Sequence, residues 1–419
     1  MKYSVITFGC RVNQADSLGF EEDFLARGDM PASPEESDVV VVNTCSVTSS
    51  ADQAARQTIR RVARVNPRAK IIVTGCYATR RPDEVASLPN VLRVVPNSHK
   101  IDLVPELTTA ERFGDGQGSC GATIEPGVAG RTAFTLRVQT GCSEPCSYCI
   151  IPTTRGVPIS VPVEEVLKQV DRVVAAGFKE IAVTGVHLGS YGRDLTPQSS
   201  LIGLLRALDA SGRPSGRPNV LFRISSLEPM DCTPEIVDLV AASDSFAPHF
   251  HLPLQHASNR LLAAMRRPYT IEYYSALVDR IRTVIPQASI GSDVIVGFPG
   301  ETDQDFEYLA DYLGGSPLTH LHIFPYSDRP GTSAAALPDK VHGSIVRERA
   351  NRLRAISQQL SSRFRLAQIG TVHRALTLDD GTLAVTGNYL KVKIPVGYTR
   401  NEWIDVRVVS EQHGELLGG

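Results

Sequence analysis

The chain has 419 residues, room for about two to four domains with buried cores, and at 42% hydrophobic and 21% charged it has an ordinary globular composition. Its 43 basic and 45 acidic residues leave a formal charge of −2, so only the distribution of charge bears on partners. No run of about 18 apolar residues occurs, and Met1-Lys2-Tyr3-Ser4 passes directly into a strand-like segment; a cytoplasmic protein without signal peptide or membrane span is expected.

Residues 1 to about 107 alternate β-branched runs (4–7, 39–42, 70–74) with helical patterns near 14–27 and 47–65. Such alternation predicts an open, mostly parallel sheet with helices on its faces. Each of the three runs ends in a cysteine, in the phrases Phe8-Gly9-Cys10, Asn43-Thr44-Cys45 and Gly75-Cys76. Ligands of a doubly wound sheet lie at the carboxyl ends of its strands, so these thiols are candidates for one shared metal site; three small buried side chains is the plainer reading. Between Gln53 and Pro82 eight basic residues occur without an acid, and Arg56, Arg60 and Arg64 share a helix face suited to phosphates. A solvated surface helix accounts for the same stripe.

From 113 to 130 the chain reads FGDGQGSCGATIEPGVAG, a Gly-rich connector in which Cys120 is expected to be a free thiol. Six strand-then-helix units follow, with strands at 134–139, 180–184, 220–225, 250–254, 289–296 and 320–324 and helices near 163–176, 201–209, 234–242, 271–284 and 303–313. Repeated units of this kind predict a parallel barrel of six strands, reactive at the carboxyl ends of its strands.

The first barrel strand leads into Gly141-Cys142-Ser143-Glu144-Pro145-Cys146-Ser147-Tyr148-Cys149. Three thiolates at C-x-x-x-C-x-x-C spacing can hold three irons of a 4Fe-4S cluster and leave the fourth open. There the amino and carboxylate groups of S-adenosylmethionine (SAM) can chelate, and one electron can break the sulfonium to give a 5′-deoxyadenosyl radical. A structural zinc knot would want a second cysteine pair, which is absent. Further along, Glu228 and Gln255 fall just beyond strands three and four and are candidate cofactor-binding residues. Gly185 and Gly297, at the ends of strands two and five, suit either close approach of a cofactor or tight packing. The pairs His249/His251 and His320/His322 each share a strand face and read as polar packing at the barrel mouth, and Cys232, ahead of Thr233-Pro234, reads as structural.

Residues 341–366 are helix-like and carry Arg347, Arg349, Arg352, Arg354, Arg363 and Arg365 against Glu348 alone, a second basic concentration. Short strands at 371–377, 384–386, 389–396 and 403–409 then predict a small β module, in which Arg374, Tyr389, Lys391 and Lys393 suit a nucleic-acid surface; a stabilising appendage would read similarly.

The motifs together resemble the radical-SAM methylthiotransferase family, most of all its branch that modifies threonylcarbamoyladenosine in tRNA, the MtaB type. The phrases that carry the likeness span nearly the whole chain: TFGCRVNQADS from Thr7, VVNTCSVTSSAD from Val41, VTGCYATRRPDEV from Val73, QTGCSEPCSYCIIPTTRG from Gln139, TGVHLGSYG from Thr184, LPLQHASNRLLAAMRRPYT from Leu252, DVIVGFPGET from Asp293 and FPYSDRPGT from Phe324. The resemblance implies an auxiliary 4Fe-4S cluster on Cys10, Cys45 and Cys76 beside the SAM-cleaving cluster on Cys142, Cys146 and Cys149, with Tyr148, Gly185, Glu228, Gln255 and Gly297 about the SAM. It implies an α/β chain of four parts: 1–110 with the auxiliary cluster, a linker at 111–131, a radical-SAM partial barrel at 132–366, and a TRAM-like RNA-binding β-barrel at 367–419. It also implies methylthiolation at C2 of N6-threonylcarbamoyladenosine at position 37 of a tRNA anticodon stem-loop, a low-potential electron donor such as flavodoxin or ferredoxin, and a sulfur source. Isopentenyladenosine in tRNA, or an aspartate of a ribosomal protein, are the alternative substrates. A noncatalytic iron-sulfur RNA-binding protein is the alternative class.

Overall fold

The computed structural model of the chain describes residues 1–104, 132–211 and 219–419. The connector at 111–131 and Cys120 lie outside the described residues.

The amino-terminal part is a five-stranded parallel sheet in the order β2-β1-β3-β4-β5, from β1 (Lys2–Thr7), β2 (Met30–Pro31), β3 (Val39–Thr44), β4 (Lys70–Gly75) and β5 (Val91–Val95). Central β3 and β4 are buried on both faces, which is why they read as unbroken Val/Ile runs. Helices α1 (Arg11–Ala26) and α2 (Ser49–Val65) begin just after the first two strand-end cysteines, α3 (Cys76–Arg80) starts on the third, and α4 (Pro82–Ala86) follows. On α2, Asp52, Ala55, Ile59, Val62 and Ala63 are buried at helical spacing, and Thr48 caps the helix by accepting from Ala51 N at 3.2 Å. The opposite face is basic, with Arg60, Arg61 and Arg64 exposed, but Arg56 donates to Tyr77 Oη at 3.0 Å and pairs with Glu84 at 3.1 Å.

The central part carries β6 (Ala133–Arg137), β7 (Gln139–Thr140), α5 (Ile151–Arg155), β8 (Ile159–Ser160), α6 (Val163–Ala175), β9 (Glu180–Thr184), α7 (Leu201–Ser211), β10 (Leu221–Ile224), α8 (Pro234–Ala242), β11 (His249–His251), α9 (Asn259–Ala264), α10 (Ile271–Val284), β12 (Ser289–Val296), α11 (Asp303–Gly315) and β13 (His320–Pro325). Two parallel three-stranded sheets, β6-β9-β10 and β11-β12-β13, meet where Phe222 bridges Phe246 and Leu227 N donates to His251 O. The six barrel strands therefore run in sequence order around a partial barrel. One apolar core joins strands to outer helices, and each fully buried Val, Leu or Ile in it contributes about 1.5–3 kcal/mol.

Helix α12 (Gly343–Leu366) packs on α11 and β13 and leads into a closed five-stranded barrel: β14 (Val372–Leu378), β15 (Leu383–Thr386), β16 (Lys391–Lys393), β17 (Trp403–Gln412) and β18 (Glu415–Gly418). The arginine run of α12 is largely committed internally: Arg349 to Glu301 and Asp303, Arg352 to Glu307, Arg363 to the Ser316 carbonyl and Arg365 to Glu411. Arg347 and Arg354 are exposed on α12, with no ion pair to an acid among the described residues, and Arg354 donates to Asn351. Tyr389 likewise stacks on the buried Arg223 at 4.5 Å, Arg374 lies 4.0 Å over Trp403, and Lys393 pairs with Glu415 at 2.6 Å.

Candidate active site: two cysteine trios and a nearby cavity

The first trio sits at the carboxyl edge of the amino-terminal sheet. Gly9 has φ +93°, and a Cβ there would lie 2.5 Å from Cys45 Cβ, so only glycine lets the turn carrying Cys10 pass over Cys45. Cys45 and Cys76 are buried and Cys10 is exposed. Val47 N donates to Cys45 Sγ at 3.5 Å, and Asn97 Nδ2 lies 3.7 Å from Cys76 Sγ. The second trio lies on the loop between β7 and α5. Its backbone is fixed by Cys142 N to Gly156 O at 3.0 Å, Ser147 N to Met265 O at 3.1 Å and Ala334 N to Ser147 O at 2.7 Å. Glu144 N donates to Cys142 Sγ and Ile151 N to Cys149 Sγ, each at 3.4 Å.

Buried cations complete both surroundings. Arg267 Nη1 donates to Cys146 Sγ at 3.2 Å, its Nε to Tyr269 Oη at 3.1 Å, and its second amino group pairs with Glu228. His187 bonds Asp231 at 2.9 Å and reaches Cys142; burial works against its charge, but these partners outweigh burial and bring its pKa up to about 9. Arg155 reaches Cys76 from α5, and Arg329 lies near Cys45 with its Nη1 on Asp52 at 2.9 Å. Burial, with the neighbouring cysteines adding to it, pushes the Cys45 thiol up to about 11 and Cys149 to about 12, values at which neither is a thiolate near neutral pH.

Two trios of thiols, of which Cys45 and Cys149 are kept protonated by burial, beside amides and cations that favour sulfur anions, fit a metal cluster whose own charge would hold the thiolates. Two buried polar atoms beside the first trio, Asn97 Oδ1 and Arg329 Nη2, lack partners, which also fits a group placed there. No disulfide links these cysteines.

Beside the second trio lies a cavity of about 170 Å³, which Cys149 lines and which the chain just past Cys45 borders. Cys149, Tyr148 and Ile151 form one side, Val47 and Thr48 the other, and Gln255, Asp293, Phe324 and Tyr326 line the barrel side. Gln255 enters on a backbone with φ +67° and bridges Val294. Tyr148 is partly buried, and the burial of its phenol raises its pKa well above the ordinary value. Glu228 stands at the turn after β10, tied to Arg267. Packing is close at both glycines: a Cβ at Gly185 would meet Gln139 Oε1 and Leu188 at 2.9 Å, and one at Gly297, φ +80°, would meet Val346 at 2.5 Å. Cys232 is buried in the barrel core ahead of α8. The four histidines form one layer inside the barrel, where His251 and His322 both hydrogen-bond Asp293 Oδ1, at 2.8 and 3.1 Å.

The site was legible from its cysteines; its cations were not. Arg155, His187 and Arg267 lie within the family-like phrases, but each meets a cysteine that only the fold brings near it.

Comparison with known proteins gives the family. A family described as "Uncharacterized protein family UPF0004" matches residues 2–96, and the "Radical SAM superfamily" matches residues 136–313. The threonylcarbamoyladenosine tRNA methylthiotransferase MtaB of Bacillus subtilis is 34% identical over 98% of this chain and 98% of its own, and that of Aquifex aeolicus is 37% identical over 94% and 96%. The chain belongs to the radical-SAM methylthiotransferase family, and within it to the MtaB type. A tRNA-2-methylthio-N(6)-dimethylallyladenosine synthase of Fusobacterium nucleatum is 30% identical over 94% of this chain and 97% of its own. Among solved structures, the radical SAM methyltransferase TsrM of Kitasatospora setae shares the fold, with TM-score 0.57 and 14% identity over 80% of this chain and 74% of that one. The methylthiotransferase is thus an enzyme whose family implies SAM and a 4Fe-4S cluster.

Proposed function

We propose that the chain attaches a methylthio group to C2 of N6-threonylcarbamoyladenosine at position 37 of tRNA, with one 4Fe-4S cluster held by Cys142, Cys146 and Cys149 and a second by Cys10, Cys45 and Cys76. The observation that carries this reading is the cavity flanked on one side by Cys149 and on the other by Val47 and Thr48, just past Cys45. Bound there, the clusters and SAM supply a carbon radical for the inert C2–H bond and the sulfur and methyl that replace the hydrogen; no side chain can do this one-electron chemistry.

The chain's own residues bind, orient and shield. Glu228, Gln255 and Tyr148, with the close backbone at Gly185 and Gly297, hold SAM at the open iron. Phe324, Tyr326 and Ile151 give the base apolar walls that exclude water. In this reading residues 1–110 carry the second cluster, 132–366 the radical chemistry, and 367–419 an RNA-facing module. The exposed Arg60, Arg61 and Arg64 face phosphates, and a low-potential donor and a sulfur source act as partners.

The isopentenyladenosine reading has support in relatives such as the Fusobacterium enzyme. Mass spectrometry of tRNA nucleosides from a deletion strain separates the two. Loss of methylthio-threonylcarbamoyladenosine is expected; its persistence, with loss of the isopentenyl counterpart, would reassign the substrate. Anaerobically reconstituted protein should hold about eight irons, and the Cys10→Ala/Cys45→Ala/Cys76→Ala protein about four while still cleaving SAM.

A further inference from the structure

Helix α5 joins the two cysteine sites physically. It starts at Ile151, whose amide donates to Cys149 Sγ at 3.4 Å, and ends at Arg155, whose side chain is almost fully buried against the other half of the molecule. There Arg155 Nη2 donates to Asn13 Oδ1 at 2.5 Å and to Asp16 Oδ2 at 3.3 Å, Nη1 donates to Thr140 Oγ1 at 3.3 Å, and the guanidinium reaches Cys76. α5 packs on α3, which Cys76 begins. Asn97 makes a second tie, from Thr154 O at 2.8 Å to 3.7 Å from Cys76 Sγ.

We propose that Arg155 is a positioning residue contributed by the SAM-cleaving half to the second cluster: it donates to the Cys76 sulfur, holds that ligand in place, and raises the reduction potential of the cluster Cys76 would help to bind. The inference rests on the two-cluster reading above. Reduction adds negative charge to a cluster spread over its sulfurs, so a fixed cation and N–H donor at one sulfur favour the reduced state. Removing the donor disfavours it. Asp16 provides the contrast, because it pairs with Lys100 at 2.7 Å, with Arg137 and with Arg155, but carries no cysteine contact.

The test is an EPR-monitored redox titration of full-length, anaerobically reconstituted protein in which Cys142, Cys146 and Cys149 are alanine, so that only the second cluster responds. That parent should carry about four irons; a parent without iron defeats the two-cluster reading itself, separately from the role of Arg155. Given the irons, Arg155→Gln is expected to move the midpoint negative by at least a tenfold change in the reduced-to-oxidised ratio, about 59 mV for a one-electron couple. Arg155→Lys, which keeps the charge, should move it less, and Asp16→Asn, which removes an anion from beside the same cations, should not move it negative. An unchanged midpoint in Arg155→Gln overturns the proposal, as does an equal shift in Asp16→Asn, which would make Arg155 a mere interface ion-pair partner. Loss of the irons from both Arg155 variants but not from Asp16→Asn supports the ligand-holding role; equal loss from Asp16→Asn overturns it.

Discussion

Arg267 ties Cys146 to Glu228, the residue proposed to bind SAM: one amino group donates to Cys146 Sγ at 3.2 Å and the other pairs with Glu228, while the side chain itself is 2% exposed. Burial opposes its charge, and Tyr148, Tyr269 and Cys146 outweigh burial, so it stays a cation. Arg267→Ala would leave Glu228 unpaired and Cys146 without its donor. We expect formation of 5′-deoxyadenosine with dithionite to fall about tenfold or more, equivalent to about 1.4 kcal/mol, with folding retained. Unchanged formation would place Glu228 and Arg267 outside SAM binding. The cysteines were readable in the sequence because C-x-x-x-C-x-x-C is a local pattern whose chemistry travels with its spacing. Arg267 lies 121 residues from Cys146, and no local pattern links them.

At the scale of elements, strands and helices followed their periods closely: α8 spans Pro234–Ala242 and α10 spans Ile271–Val284, as the apolar repeats require. The short edge strand β2 and the closing strand β18 were not legible, since two- and four-residue segments carry too few side chains to show a period. The arginines of α12 misled because a row of like charges in sequence says nothing of the acids that α11 places opposite. The histidine layer depends on Gly291 in β12, where a Cβ would lie 2.2 Å from His320 Nε2. Gly291→Ala should lower the thermal midpoint, at a cost of about 1–3 kcal/mol from overpacking. A midpoint equal to the parent's would mean the layer yields freely. Burial holds the pKa of His256 and of His320 down to about 4 from 6.5, with His251 and His322 adding to the effect at His320. An unfolded chain takes up these protons from 6.5 downward and the folded chain resists until about 4, so this stability is complete above 6.5 and is lost as pH falls through that window. The urea midpoint of the cluster-free protein should therefore drop between about pH 7.5 and about pH 5; a flat profile would count against neutral histidines in the barrel.

At the scale of the whole molecule, buried acids pin the amino-terminal sheet to the barrel. Asp16 on α1 receives Lys100, Arg137 and Arg155, and Asp52 on α2 receives Arg80 and, from beyond β13, Arg329. Asp16→Ala would leave three cations facing one another, two of them buried, and should destabilise the protein by about 3–5 kcal/mol in urea unfolding. A loss below about 1 kcal/mol would show the interface to be wet and screened. The carboxyl-terminal barrel is latched similarly: Arg223, fully buried, pairs with Glu180 at 2.9 Å and donates to Gly387 O at 2.9 Å beneath Tyr389. Among the described residues no helix is long and apolar enough to cross a membrane.

Helix α5 and the acids it meets also bear on recombination. A chimera joining the first 110 residues of one methylthiotransferase to the barrel of another takes Asn13, Asp16, Asp52 and Cys76 from one parent and Arg137, Arg155 and Arg329 from the other. Domain boundaries drawn by sequence would cut between partners that work as pairs. Swaps between such enzymes should succeed when the segment from Ile150 to Gly156, with Arg137 and Arg329, travels with the amino-terminal sheet, and should lose the cluster proposed for Cys10, Cys45 and Cys76 when it does not.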